Sequence, residues 1–345
     1  MTSRLLVAHD PSSREHCAPA YHPERPERLD AALRGLERVA CERQAVPIRA
    51  ASVDELLTVH GAAFVEQMMA LEAPTSAQHE ARAAFLDPDT FVVDGSIAAA
   101  RRAAGAGLET VAALVRGEGT RGVVLVRPPG HHARREQAMG FCLFNNVALM
   151  AQAARAQGFE RVAIVDFDVH HGNGTQEIFY ERPDVLYLST HQYPLFPGTG
   201  ALHERGAKDG TGFTVNVPLT GGADDSVYHA SFSRVIVPVL ESYAPDLLLV
   251  SAGFDAALHD PLAEMRLSAD AYRSMMRALT AVAERSAQGR IAMVLEGGYD
   301  LPSLEACLAA ALEGMLEPGT EQARPTSDCL DLKLAEQAAR THWPV

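Results

Sequence analysis

The sequence predicts an α/β protein, with a central parallel β-sheet and helices packed on both of its faces. Three observations predict it. Short apolar runs bounded by turns alternate with amphipathic stretches of roughly 12 to 20 residues, the rhythm of βαβ units. Most of the runs are apolar throughout rather than alternating, as strands buried on both faces are. No repeat, low-complexity tract or long linker breaks this rhythm over 345 residues, so one large domain is expected rather than two.

In chain order, residues 5–9 read as the first strand, 53–71 as one or two helices, and 72–84 as a polar insert before the turn Asp87, Pro88, Asp89. Further strands are expected at 122–126, 162–166, 185–190, 213–217, 247–252 and 291–296. Helical spacing covers 146–157, 225–243, 268–286 and 302–316, and Ser268 before Ala269 and Asp270 makes a helix start. The domain is expected to span residues 1–318, with 319–345 a C-terminal extension packed on or near it.

Composition narrows the function. With 47% hydrophobic and 21% charged residues the chain is neither disordered nor fibrous. Its 30 Lys+Arg against 44 Asp+Glu give a net charge of -14, which argues against nucleic acid or an anionic membrane surface as partner and tolerates a cationic substrate. Arg4 precedes only a short apolar run, and no stretch reaches the ~18 apolar residues of a membrane span, so a cytoplasmic location is expected. The five cysteines, Cys17, Cys41, Cys142, Cys307 and Cys329, are scattered and form no CxxC pair. Neither a disulfide framework nor a thiolate metal site follows from them, so any metal must be held by His and carboxylates.

In an open parallel sheet, ligands bind beyond the carboxyl ends of the strands, and here those ends are unusually polar. One strand runs into Arg127, Pro128, Pro129, Gly130, His131, His132; another into Asp166, Phe167, Asp168, Val169, His170, His171; a third delivers Asp255; the last delivers Glu296 and Tyr299. In an extended Asp168-Val169-His170 segment the outer two side chains share one face. With Asp255 they form an Asp2His set, three ligands that leave room for water and substrate, the pattern of catalytic rather than structural zinc. Buried Asp and His that merely cap neighbouring helices are the competing reading of a lone D-x-H. The His pair, Asp255 and Tyr299 together weigh against it.

This constellation resembles the histone deacetylase family, which includes lysine deacetylases, acetylpolyamine amidohydrolases and acetoin-utilisation proteins. The motifs are RPPGHH (127–132), GFCLFNN (140–146), DFDVHHGNGT (166–175), FPGTG (196–200), GFD (253–255), DPL (260–262) and EGGY (296–299), within a resemblance running from His22 to about Leu316. It implies an arginase-like three-layer fold. It also implies Asp168, His170 and Asp255 as ligands of one Zn2+, with Fe2+ an allowed alternative in the cell. His131 matches the general base, oriented by Asp166. His132 matches the second histidine, which helps protonate the leaving amine. Its partner here is Asn173 where some relatives have Asp, so His132 should be less basic than in an Asp-paired relative. Tyr299 matches the phenol that hydrogen-bonds the developing oxyanion.

The same resemblance implies a narrow channel walled by Phe141 and Phe196 after Gly140, with Asp89, Thr90 and Leu262 at its rim. It implies an inner K+ or Na+ site at Asp166, Asp168, His170, Ser189 and Thr190, and an outer one at Phe179, Arg182, Val185 and Phe213. Arg28 matches an arginine of an internal acetate channel, although an Arg at a helix start is more often a surface charge. Cys142 reads as a small buried residue rather than a nucleophile.

The leading expectation is a zinc-dependent deacylase acting on acyl-lysine in proteins or peptides, alone or as a homo-oligomer. The rival is an acetylpolyamine amidohydrolase. Relatives selective for polyamines place an acidic residue after D-P, where this chain has Leu262. The acidic composition and Glu264 keep the rival open. A binuclear arginase-type enzyme would need D-x-H-x-D and D-x-D, whereas this chain has His171 and Asn173 after His170, and Ala257 two residues after Asp255. An inactive acyl-lysine binding module would have lost a ligand, His131 or Tyr299, and none is lost.

Overall fold

The computed structural model describes residues 4–72, 83–317 and 327–345. The strands are β1 (Leu5–His9), β2 (Arg43–Ala45), a small hairpin of β3 (Ala84–Phe85) and β4 (Phe91–Val92), β5 (Arg121–Leu125), β6 (Val162–Asp166), β7 (Val185–Gln192), β8 (Thr214–Leu219), β9 (Leu247–Ala252) and β10 (Ile291–Leu295). The helices are α1 (Glu27–Glu37), α2 (Val53–Leu57), α3 (Ala62–Ala70), α4 (Ser96–Val115), α5 (Asn146–Ala156), α6 (Asn173–Phe179), α7 (Asp225–Ser231), α8 (Val237–Tyr243), α9 (Ala269–Ser286), α10 (Leu301–Leu316) and α11 (Leu330–Ala339).

Eight strands form one sheet in the order β2-β1-β5-β10-β9-β6-β7-β8, and every pairing in it is parallel. Side chains alternate between two cores. Leu5, Val7, Val123, Val165 and Val250 pack with α1, α9 and α10 on one face. Leu6, Ala8, Val124, Ile164 and Leu249 pack with α4 and α5 on the other. Both faces being buried explains the continuous apolar strands. The chain crosses from β5 to β6 over two strands that are laid down last. In consequence the four polar strand ends, of β5, β10, β9 and β6, lie side by side in the middle of the sheet.

All seven strands expected from the sequence are present, with ends shifted by a residue or two. Several elements escaped the reading for identifiable reasons. α4 is buried along most of its 20 residues and rich in Ala and Gly, so it carries little amphipathic period. β2 is a three-residue edge strand, RQA, with no apolar residue larger than Ala. The stretch 225–243 is not one regular helix: a wider π-type turn at Phe232–Ile236 separates α7 from α8 just before Pro238, which has no N–H to donate. The polar insert expected at 72–84 and the domain boundary at 318 fall mainly outside the described residues.

At the far edge, α11 covers β8. Leu332, Ala335 and Ala339 are buried there, and the Trp343 indole N–H donates to the Gly212 carbonyl at 2.8 Å. Among the described residues no helix is long and apolar enough to cross a membrane, and all five cysteines are free.

Candidate active site

The centre of the site is the Asp168, His170 and Asp255 group, whose ligand atoms all lie within 4.8 Å of one another. Asp168 and His170 follow the end of β6, and Asp255 follows the end of β9. His170 Nδ1 lies 3.2 Å from Asp168 Oδ1 and 3.1 Å from Asp255 Oδ2. The second oxygen of each carboxylate is held by backbone: Gly297 N–H donates to Asp168 Oδ2 at 2.8 Å and Val169 N–H to Asp255 Oδ1 at 2.9 Å. Glycine is required around them, because a Cβ on Gly253 would overlap Asp168 and one on Gly297 would overlap Asp255.

Two wholly buried carboxylates side by side are costly unless positive charge joins them. Burial and then repulsion from Asp168 raise Asp255. Burial pulls His170 down, but its contacts with Asp168 and Asp255 outweigh that and push it up to about 10. The site therefore calls for a cation, either a proton on His170 or a metal. Tetrahedral bonds of about 2.0 to 2.1 Å put neighbouring ligand atoms roughly 3.3 Å apart. The 3.1 and 3.2 Å separations and the mixed N/O donor set fit a small divalent ion.

The two histidines after β5 lie with ring centroids 4.0 Å apart and planes tilted by 42° yet have different partners. His131 Nδ1 meets Asp166 Oδ2 at 3.0 Å, and its Nε2 lies 3.9 Å from Asp168 Oδ1, beside the ligand group. His132 Nδ1 meets the amide oxygen of Asn173 at 2.9 Å, while the Asn173 NH2 faces the Met139 sulfur at 3.3 Å. Burial pulls His131 down, but Asp166, Asp168 and Glu296 outweigh it and push it up to about 10. For His132, burial and then the charges of His131 and His170 push the ring well below 6.5. An amide cannot hold an imidazolium as a carboxylate does, so the pair splits into one basic and one neutral ring.

Tyr299 follows β10, is 8% exposed, and has its phenol pushed up by burial, so it remains a donor at neutral pH. Its N–H donates to Asp260 Oδ2 at 2.6 Å, and the Arg28 guanidinium lies 4.8 Å over its ring. Phe141 stands 5.8 Å from the Tyr299 ring, and Phe196 stands 5.1 Å from His132 and 6.3 Å from His170. The two aromatics thus flank the ligand group from different sides. Met139 and Cys142 exchange two backbone hydrogen bonds, closing a tight turn with Gly140 at φ 56° and Phe141 at φ 67°. A Cβ at Gly140 would strike the His132 ring.

The histone deacetylase domain matches residues 22–315 of the chain. The chain belongs to the histone deacetylase family. It is 40% identical to a histone deacetylase-like amidohydrolase of Pseudomonas aeruginosa over 94% of this chain and 84% of that protein. It is 37% identical to human polyamine deacetylase HDAC10 over 93% of this chain, which spans 49% of that longer protein. The crystal structure of the HDA15 HD domain superposes with a TM-score of 0.89 at 35% identity, covering 99% of this chain and 97% of that one. The fold is the arginase/deacetylase fold, and the chain is an amidohydrolase of a metal-dependent family.

Burial sets aside the surface-charge alternative for Arg28 and the rim expectation for Thr90. Arg28 is no surface charge: it is 0% exposed, donates from Nε to the Gly298 carbonyl at 2.6 Å, from Nη1 to Glu24 at 3.1 Å and from Nη2 to the Glu296 carbonyl. Local sequence could not show this, because two of its three partners, Gly298 and Glu296, lie about 270 residues away. Thr90 does not face the rim. Its hydroxyl is buried and accepts the Phe141 N–H at 3.0 Å, holding the left-handed turn that presents the Phe141 ring. Asp89 and Leu262 do stand partly open, and burial, followed by Asp87, pushes Asp89 up to about 6.

Of the inner monovalent-cation candidates, Asp166 pairs with Ser189 across β6 and β7, and the Asp168 N–H donates to Asp166 Oδ1 at 3.1 Å. Asp166, Asp168, Ser189 and Thr190 are all buried, and the Thr190 hydroxyl has no hydrogen-bond partner, an orphan that a cation would satisfy. At the outer set, the Phe179 carbonyl accepts from Arg182 N–H at 3.0 Å and the Phe213 carbonyl from Tyr187 N–H at 2.9 Å. Each carbonyl keeps a second lone pair, and Val185 opens the adjoining strand.

Sequence reasoning placed Glu296 at the site but gave it no role. Its Oε2 accepts the Gly130 N–H at 2.7 Å and the His131 N–H at 3.1 Å, and its Oε1 accepts the Ser251 hydroxyl at 3.0 Å. A carboxylate inside an otherwise small and apolar strand end was the available signal. Glu296, His131 and Cys142 also cluster, but three donors already occupy the Glu296 oxygens and burial pushes the Cys142 thiol up, which leaves this group a packing contact.

Proposed function

We propose that the protein removes acetyl or other short acyl groups from lysine side chains of proteins or peptides, using one Zn2+, or Fe2+ in the cell, held by Asp168, His170 and Asp255. The observation that carries this reading is their convergence, with His131 Nε2 beside the group at 3.9 Å from Asp168 Oδ1 and Tyr299 anchored close by. A divalent ion there supplies Lewis acidity, which makes water nucleophilic and polarises the amide carbonyl.

His131 takes the proton of the attacking water at Nε2, with Asp166 holding Nδ1–H and so fixing the tautomer. A divalent ion held by Asp168 would offset one of the carboxylate charges that raise His131, and so would lower it from about 10. The proton that His131 has taken from the water goes on to the departing amine, with the bare Nε2 of His132, whose Nδ1–H stays on the Asn173 oxygen, able to accept and relay it. The Tyr299 hydroxyl donates to the carbonyl oxygen as it becomes an oxyanion. Phe141 and Phe196 pack along the methylene stem of the lysine and keep water off it. Asp166, Asp168, His170, Ser189 and Thr190 would hold a K+ or Na+, which would supply a partner to the Thr190 hydroxyl.

A second reading, hydrolysis of acetylated polyamines, is favoured by the net charge of -14 and by Asp87 and Asp89 at the rim, and the name of the human relative agrees with it. Leu262 argues for lysine, since it offers no charge to a distal ammonium. A comparison of kcat/KM for acetyl-lysine peptides against N-acetylputrescine and acetylspermidine tests both. Faster turnover of a polyamine than of every peptide would replace the first reading with the second.

A further inference from the structure

We propose that Asp260 is the positioning residue for Tyr299, setting where the phenol stands by holding its backbone. The inference rests on the reading of Tyr299 as oxyanion donor and goes beyond it. Tyr299 follows Gly297 and Gly298, the latter at φ 115°. Two glycines confer little intrinsic restraint on the residue after them, so the place of Tyr299 depends on what grips the chain from outside.

Two groups do so. Arg28 Nε donates to the Gly298 carbonyl at 2.6 Å, and Asp260 Oδ2 accepts the Tyr299 N–H at 2.6 Å and the Asp300 N–H at 3.1 Å. The remaining oxygen, Oδ1, accepts the Leu262 N–H at 3.1 Å. Asp260 is 6% exposed and forms no ion pair among the described residues. A carboxylate buried on backbone N–H groups alone is unusual, because burial without a counter-charge is costly. Loop closure by itself would be served by a neutral acceptor.

What a carboxylate adds is reach in two directions. One oxygen holds the loop that descends from Asp255 to Leu262, and the other holds the first two residues beyond the glycines. The ligand loop and the phenol are thereby referenced to one rigid group. An oxyanion donor contributes only within about 2.7 to 3.1 Å of the developing charge, and a misplacement near 1 Å costs about a hundredfold. Asn at this position keeps the oxygen on one side and presents an NH2 to an N–H on the other. Ala keeps neither.

The test is a double-mutant cycle on the metal-loaded full chain with an acetyl-lysine peptide, reading kcat, KM, metal content and thermal midpoint. Asp260→Asn is expected to lower kcat about three- to tenfold and Asp260→Ala about ten- to a hundredfold, with KM and metal content within about twofold of wild type. Neither loss can exceed that of Tyr299→Phe, since the effect passes through the phenol. On the Tyr299→Phe background the same two substitutions should cost less than about twofold. Equal fold losses on both backgrounds, a loss confined to KM or to metal content, or no loss would overturn the proposal while leaving the role of Tyr299 intact. Should Asp260→Ala fail to fold, the near-isosteric Asp260→Asn decides the same comparison. Wild-type kcat in Tyr299→Phe alone would sink the oxyanion role, and this inference with it.

Discussion

The floor of the site and its rim are made of different material. On the floor, Asp166, Asp168, Asp255, His131 and Glu296 are between 0% and 2% exposed, and backbone N–H groups from strand ends fasten their carboxylates. At the rim, Phe196 is 41% exposed, and Asp89 and Leu262 lie on loops. Groups fixed by a parallel sheet keep their distances to a fraction of an ångström, whereas loop residues trade precision for variety. On the function proposed above, the reaction belongs to the floor and the choice of substrate to the rim.

The strongest way to break this division is to remove the ion. Chelation, or Asp168→Ala, should abolish activity and a hydroxamate should inhibit, with about one divalent metal per chain by elemental analysis; two manganese ions per chain would overturn the single-ion site. Next in size, His131→Ala should remove a base contributing roughly 10² to 10⁴ in rate. Tyr299→Phe should lower kcat by roughly 10² to 10³ with metal content unchanged. Near wild-type turnover in either variant refutes the role given to that residue.

Stability sharpens the same contrast. Behind the floor, Glu24, Arg28 and Arg127 are all 0% exposed, and Arg127 grips both Glu24 oxygens at 2.5 and 2.6 Å. Burial raises Glu24, but Arg127 and His16 outweigh it, so its folded value lies well below 4.5. A depressed carboxylate contributes stability that is fully present above its unfolded value and disappears as pH falls through the folded one. Glu24→Gln should therefore destabilise by about 3 to 5 kcal/mol at pH 7, with the difference from wild type shrinking below pH 4.5. Asp89→Asn at the rim should change stability by less than about 0.5 kcal/mol. Urea unfolding of both variants across pH reads out both expectations.

The smallest effect on catalysis is expected at the rim itself. Leu262→Glu would place a carboxylate where a polyamine ammonium passes, worth on the order of 1 kcal/mol in that half-wet setting, or several-fold to tenfold in relative kcat/KM toward acetylpolyamine. An unchanged ratio would move recognition to Asp89 or Glu264.

By itself the sequence determined the parallel α/β class, the seven main strands and the identity of every residue at the ligand group, because each rests on local pattern: apolar runs, turn residues and the D-x-H period. It also pointed to the strand ends as the place to look. What only the tertiary structure decided is which distant groups meet. Arg28 reaches across some 270 residues to Gly298 and Glu296, Thr90 grips Phe141, Asp260 grips Tyr299, and α4 forms without an amphipathic signature because both its sides are covered. A hydrogen bond between residues remote in sequence leaves no period in either segment. Such partners became visible once β9 and β10 had slotted between β5 and β6.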